Sequence, residues 1–336
     1  MLCIKVPVKE AQKVKKELIS KDLLDKEHFI KKDKDCVYFP VKKRFKTQYK
    51  FVHKILKKKK PRADLKASLT KKLSKDDLEF LRRSMDVIGD IVILEIPKEL
   101  EKKEKLIANE VLRTNKSIKT VLKKGKHEGV FRTQKLKLLA GEKTKEATYK
   151  ENNVTLKLDV ENVYFSPRLS NERKRIYKQV RRGEDMLVMF AGCGVYPLVI
   201  SKNTKAKHIT GIEINPTAHN YALQNLLLNK AENVSVFLGD VRNIVPKLGK
   251  KYDRIVMPLP KQAHTFLEVA FKASKKGTII HLYQFINENE IKKREKEIKE
   301  ICKKRKIECR IINSEKCGQQ APHVFRVCIE FKITKT

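Results

Sequence analysis

The sequence predicts an α/β fold in which a parallel sheet is closed by an antiparallel end hairpin. Three observations predict it. From Val154 onward, short apolar runs alternate with helical stretches, the order that builds a parallel sheet. One run, Met186 to Phe190, opens into the turn Ala191-Gly192-Cys193-Gly194 and a helix start at Val195. The last two runs, Glu308 to Ile312 and Val324 to Lys332, leave no room for a helix between them, so that pair reads as antiparallel. Together these describe a Rossmann-like domain over residues 156–336, preceded by two smaller α+β domains.

The first small domain is expected over residues 1–56. Leu2 to Val6 is strand-like, and Lys9 to Leu24 has helical spacing at Val14, Leu18 and either Leu23 or Leu24. Cys36 to Val41 reads as a second strand. Residues 57–62, Lys57-Lys58-Lys59-Lys60-Pro61-Arg62, read as a solvated basic linker. The second domain, residues 63–155, holds a helix from Asp76 to Arg83. A hairpin follows at Val87 to Leu94, where Gly-Asp separates β-branched runs. Lys98 to Val111 is a charged helix with Leu100, Ile107 and Val111 on one face. Val130-Phe131-Arg132 reads as a strand and Ala140-Gly141-Glu142 as a turn.

In the large domain Val154 to Val160 alternates as a half-buried strand does. Asn171 to Ile176 opens a helix. The parallel strands are Met186 to Phe190, His208 to Ile212, Val234 to Leu238, Tyr252 to Met257 and Gly277 to Leu282, with a charged helix from Asn287 to Lys304. Gly192 and Gly194 let the backbone approach a ligand with no Cβ in the way. Glu213, at the tip of the second strand and about 20 residues past the turn, can accept hydrogen bonds from both ribose hydroxyls. The third glycine of a dinucleotide fingerprint is absent, since Pro197 stands there. A nucleoside cofactor without pyrophosphate fits best, and S-adenosylmethionine is one. A parallel sheet with an antiparallel end is also the layout of class I methyltransferases.

Lys and Arg number 78 against 40 Asp and Glu, a formal net charge of +38. A Lys-rich surface bias ordinarily raises Glu as well. The net excess therefore calls for a polyanionic partner, most simply nucleic acid bound with strong salt dependence. Seven scattered cysteines form no CxxC, so neither a disulfide framework nor a metal site is expected. With no apolar run of membrane-spanning length and no signal-peptide pattern at the start, a cytoplasmic location is expected.

Several stretches, in order along nearly the whole chain, resemble the archaeal and eukaryotic tRNA (guanine-37-N1)-methyltransferases. They are Val87 to Leu94, Gly129-Val130-Phe131-Arg132, Leu139 to Glu142, Val163 to Arg168, Glu172-Arg173, Phe190-Ala191-Gly192, Glu213-Ile214-Asn215-Pro216, Gly239-Asp240-Val241-Arg242, Pro258-Leu259-Pro260-Lys261, Ala263-His264 and Ala321-Pro322. The resemblance implies a general base at Glu172, a cation at Arg132 for the guanine oxygen, and Asp240 beside the adenine or target base. It implies a substrate wall of Tyr164, Phe165, Arg173, Pro258 and Pro260. Cofactor contacts are implied at Phe190, Gly192, Gly194, Glu213, Ile214, Asp240 and Val241. The small N-terminal domain is similar to the one that docks on the outer corner of tRNA.

Two positions depart from the family pattern. Val188 replaces an Asp of the first strand, and Pro258 replaces the Asn of Asn-Leu-Pro. The second departure resembles a minor archaeal branch that also methylates carbon 7 of 4-demethylwyosine to give isowyosine. The expected protein is thus a monomeric, S-adenosylmethionine-dependent methyltransferase acting on position 37 of tRNA, tRNA-Phe among its substrates. The alternatives are a methyltransferase on another RNA such as ribosomal RNA, and an RNA-binding protein with a relic cofactor fold.

Overall fold

The structure is a computed structural model that describes residues 1–58, 65–81, 85–129, 131, 133–261 and 263–336. The chain divides into two compact units, Met1–Lys72 and Leu73–Thr336.

In the first unit a four-stranded sheet runs in the order Lys31–Lys32, Cys36–Pro40, Leu2–Pro7, Lys50–His53. Val14 and Leu18 of the helix Ala11–Ser20 bury against it. The helix is shorter than its apolar spacing suggests. Asp22 takes a left-handed φ of 50°, and the amides of Leu23 and Leu24 both turn back to the Leu18 carbonyl. Leu24 then bridges to Val41 instead of continuing the helix. Lys57 and Lys58 belong to this unit and not to a linker: the Lys57 carbonyl accepts from the Phe29 amide, and Lys58 bridges to His28. The rest of the basic run lies outside the described residues.

The second unit begins with the helix Lys75–Phe80, capped by Ser74 and Asp77 in a reciprocal box. The expected end of that helix, at Arg82 and Arg83, lies outside the described residues. A four-stranded sheet follows, in the order Met85–Ile88, Ile91–Leu94, Thr120–Glu128, Thr133–Gly141. The charged helix over 98–114 starts as a 3-10 turn, Lys98–Lys103, and continues as Glu104–Thr114 with Leu100, Ile107 and Val111 buried as expected. Of the strand expected at 130–132, Val130 and Arg132 lie outside the described residues. Phe131 lies in the turn between the two long strands. The turn expected at Ala140–Glu142 comes one step later, because Ala140 and Gly141 still belong to a strand. Gly141, at φ 90°, passes so close to Lys119 that a Cβ would stand 1.9 Å from its carbonyl oxygen.

The strands Glu146–Glu151 and Val154–Asp159 form an antiparallel ribbon. The boundary expected between residues 155 and 156 therefore falls inside a strand. The helix Pro216–Asn229 fixes this ribbon with two carboxamides four residues apart, hence on one face. Asn229 accepts from the Thr155 amide at 2.9 Å and donates to its carbonyl at 2.7 Å. Asn225 does the same for Lys157, at 2.7 and 2.9 Å. Side chains thus stand in for a missing neighbour strand.

The large sheet has seven strands: β1 Asp185–Met189, β2 His208–Glu213, β3 Val234–Leu238, β4 Tyr252–Met257, β5 Ser274–Asn287, β6 Glu308–Ala321 and β7 Val324–Lys335. Their order is β3-β2-β1-β4-β5-β7-β6, parallel except for β7, which is antiparallel to both neighbours. The expected parallel sheet with its antiparallel end hairpin is therefore present. β5 and β6 are longer than their apolar runs. β6 is an edge strand whose second half, Ser314 to Ala321, is mostly polar, so nothing in its hydropathy marks it as strand. The helix expected from Asn287 runs from Ile291 to Lys304, after a 3-10 turn. The carboxyl ends of β1 to β4 converge where the order reverses, the usual place for a ligand in an open α/β sheet.

Candidate active site

The turn after β1 is built for close approach. Phe190 holds a left-handed φ of 64°, its ring edge-on to Phe266 at 5.0 Å. Gly194, at φ 82°, opens the helix Val195–Asn203, and a Cβ there would press on Ala222. Glu213 ends β2 with its carboxylate turned back into this turn. One oxygen accepts from the Gly192 amide at 2.7 Å and the other from the Asn215 amide at 2.8 Å. Burial raises its pKa, and the amide hydrogen bonds partly counter the shift. Asp240 follows β3 and caps the helix Val241–Leu248 through the Arg242 amide at 2.8 Å. The Arg242 guanidinium lies against the same carboxylate and holds its pKa down.

These groups face one cavity of about 770 Å³. On the side formed by the strand ends stand Phe190, Gly192, Glu213, Ile214, Asp240 and Val241. Its other wall carries Tyr164, Phe165, Arg173 and Pro258, with Gly129 and Phe131 reaching in from the long hairpin. Ten of the sequence-expected residues thus meet in one space. Gly194 shapes the turn without lining the cavity. Pro260 is buried behind the wall, its carbonyl accepting from the Phe285 amide at 3.3 Å. Arg132 lies outside the described residues, next to Phe131.

Arg173 lines the cavity, but its charge is already engaged. Its guanidinium is bound at both ends by Glu151, at 2.5 Å each, and also donates to the Ser166 carbonyl. Both partners of this ion pair are 2% exposed. What Arg173 offers the cavity is rigidity: it lies over the Phe165 ring at 5.3 Å, while Tyr149 meets that ring edge-on at 5.1 Å. Glu151 carried no motif in the sequence, so this anchor was not legible there.

Glu172 does not line the cavity. It is buried, and its carboxylate accepts two hydrogen bonds of 2.7 Å from Arg175 and one of 2.6 Å from the Tyr283 hydroxyl. Arg175 also grips Glu330, which contacts His281 and Gln179. His281, Cys328 and Glu330 bring their ligating atoms within 4.8 Å of one another. Arg254 and Arg175 already flank that trio, and two guanidiniums repel a cation. Burial opposes the charged form of Glu330, but His281, Arg175 and Gln179 outweigh it and hold the carboxyl at about 2. Such a group is ordinary in the unfolded chain, so it adds stability above about pH 4 and loses it as pH falls toward its folded value. Glu330→Gln is expected to flatten the acid limb of the unfolding curve in that window. An unchanged limb would remove Glu330 as its source.

Comparison with known proteins fits this geometry. Residues 147–312 match the TRM5/TYW2 methyltransferase domain, 65–144 the TYW2 N-terminal domain and 3–49 the tRNA methyltransferase 5 N-terminal domain. Over 335 residues the chain is 36% identical to the tRNA (guanine(37)-N(1))-methyltransferase Trm5b of Pyrococcus abyssi, covering 99% of both. The chain belongs to the TRM5/TYW2 methyltransferase family. The crystal structure of P. abyssi Trm5b has a TM-score of 0.75 to it, at 36% identity over 99% of each chain. A complex of aTrm5 with tRNALeu gives 0.72 at 31% identity, over 99% of this chain and 100% of the other. Within the TRM5/TYW2 family, the chain is also 37% identical over 272 residues to the tRNA (guanine(37)-N(1))/4-demethylwyosine(37)-methyltransferase Taw22 of Nanoarchaeum equitans, covering 65% of this chain and 89% of Taw22. Val188, the departure noted in the sequence, is fully buried in β1 and packs in the core. Among the described residues no helix is long and apolar enough to cross a membrane.

Proposed function

We propose that this enzyme transfers the methyl group of S-adenosylmethionine to position 37 of tRNA, onto nitrogen 1 of guanosine and onto carbon 7 of 4-demethylwyosine in tRNA-Phe. One observation carries this reading: a nucleoside turn and an aromatic, proline-edged wall share a single cavity. A cofactor and an extruded base need that arrangement, since chemistry on a base requires taking it out of its stack. Glu213 holds the ribose, and the Phe190 to Gly192 turn supports the adenosine. Tyr164, Phe165 and Pro258 flank the base. Methyl transfer from a sulfonium is mainly a matter of alignment. Nitrogen 1 of guanine carries a proton, so it also needs a base and a cation near the exocyclic oxygen. Glu172 and Arg132 are our assignments for these roles.

The N-terminal unit docks the outer corner of tRNA in this reading, and the +38 net charge supplies the attraction. The enzyme works as a monomer in the cytoplasm. Transfer of labelled methyl to unmodified tRNA-Phe, with nucleoside mapping, tests the whole proposal; label anywhere but position 37 overturns it. Pro258 removes an amide donor at the β4 tip and flattens the wall, which suits a tricyclic base. Pro258→Asn is expected to shift the product ratio toward N1-methylguanosine by roughly fivefold, the worth of one hydrogen bond of about 1 kcal/mol. An unchanged ratio would take Pro258 out of the specificity argument.

A further inference from the structure

We propose that the hydroxyls of Tyr196 and Tyr283 form a proton relay between the target base and Glu172. The inference rests on the function proposed above and adds two residues to its mechanism. Glu172 is 5% exposed and stands behind the cavity wall. Tyr196 lines the cavity. Its hydroxyl donates to the Tyr283 oxygen at 3.3 Å, and the Tyr283 hydroxyl donates to Glu172 at 2.6 Å. The two rings are held edge-to-face with centroids 6.4 Å apart. The first of these bonds is long for two hydroxyls, and catalytic bonds of this kind tighten once the site is loaded. Every donor in the series points away from the cavity and toward the carboxylate, the direction a proton leaving the base must take.

Glu172 shares its cation with a second carboxylate. Arg175 serves two carboxylates at once, Glu172 and Glu330. Arg173 is engaged by Glu151 and Arg254 by Glu184, while Arg326 on β7 donates to the Tyr164 hydroxyl. Burial, with Arg254 alongside, keeps His281 from taking up a proton. Glu172 and Glu330 thus share one guanidinium, and Glu172 is the carboxylate on which the series of hydroxyls ends. Burial raises the pKa of both tyrosines, so each hydroxyl keeps a proton to pass on.

The step balances. The guanine N1–H bond breaks and its proton bonds to the Tyr196 oxygen. The Tyr196 proton moves to the Tyr283 oxygen, and the Tyr283 proton moves to Glu172. The freed nitrogen pair attacks the sulfonium methyl, the carbon–sulfur bond breaks, and its electrons stay on sulfur as the neutral thioether.

Tyr196→Phe and Tyr283→Phe keep ring volume and remove only the oxygen. Each is expected to slow single-turnover methylation of guanosine-37 tRNA by about 100-fold, the usual worth of general-base catalysis. Calorimetry should show S-adenosylmethionine binding as in the unmodified enzyme. The double variant should be no slower than either single one, since both interrupt one path. Rates in mixtures of light and heavy water should curve for the unmodified enzyme, because several protons move together, and straighten for the variants. If Tyr283→Phe keeps its rate while Glu172→Gln is slow, the relay is wrong and the base assignment stands. If Glu172→Gln also keeps its rate, the base assignment in the proposed function fails with it. A loss accounted for by weaker cofactor binding would overturn the relay as well.

Discussion

Glu213→Ala is expected to weaken S-adenosylmethionine binding by roughly a hundredfold or more, because hydrogen bonds to a charged acceptor contribute about 1.5 to 3 kcal/mol each. A carboxylate has about four lone-pair positions. The Gly192 and Asn215 amides, with Ile214 beside them, hold the carboxylate at the cavity lining without saturating it. Removing the side chain deletes the ribose acceptor and leaves the Gly192 amide without its partner, so the turn loosens too. Calorimetry on the intact enzyme measures the change, and an unaltered affinity would dismiss Glu213 as the ribose ligand. The same carboxylate predicts a pH effect. Burial raises its pKa. Protonation removes the acceptor, so cofactor affinity should fall on acidification, beginning above the range of an ordinary glutamate.

Glu151→Ala is expected to cost about 3 to 5 kcal/mol of stability, the usual effect of stranding one charge of a buried pair. Arg173 would then face a dry interior alone, with its bidentate partner gone. The damage should reach function as well. Arg173 is the cation over Phe165, and Phe165 lines the cavity wall proposed to receive the base. Denaturant unfolding gives the stability, and the KM for tRNA reports the wall. A variant as stable as the parent would show that the pair is replaceable. The paired change of Glu151 and Arg173 to apolar residues should cost less than Glu151→Ala alone, since no charge is left behind.

The sequence exposed the parts of this protein whose pattern is set by burial on a short repeat. β1, β2 and β4 are apolar because both faces of the sheet are covered there, whereas β3, at the edge, leaves Phe237 and Leu238 exposed; the ends of all four fell within a residue of expectation. The Gly192 turn and Glu213 were readable because their chemistry demands those residue types at that spacing. β6 was only half visible, since an edge strand can be polar along its length. Asp240 was read as a ligand group and is also a helix cap bound to Arg242, a pairing two residues away that the sequence could have signalled. Glu151, Arg175 and Tyr283 were invisible. Each matters through a partner brought close by folding: Arg173 for Glu151, Glu330 for Arg175, whose pairing with Glu172 three residues before it is local, and Glu172 for Tyr283. The spacing of Asn225 and Asn229 on one helix face was available, but nothing short of the fold identifies the backbone they hold.

Asn225 has one more bond, from its amide nitrogen to the Cys193 carbonyl at 3.1 Å. A single side chain is therefore riveted both to the loop beneath the nucleoside and to the ribbon whose far end supplies Glu151. One residue thereby couples the placement of the loop to that of the ribbon, so a change at Asn225 would loosen both together.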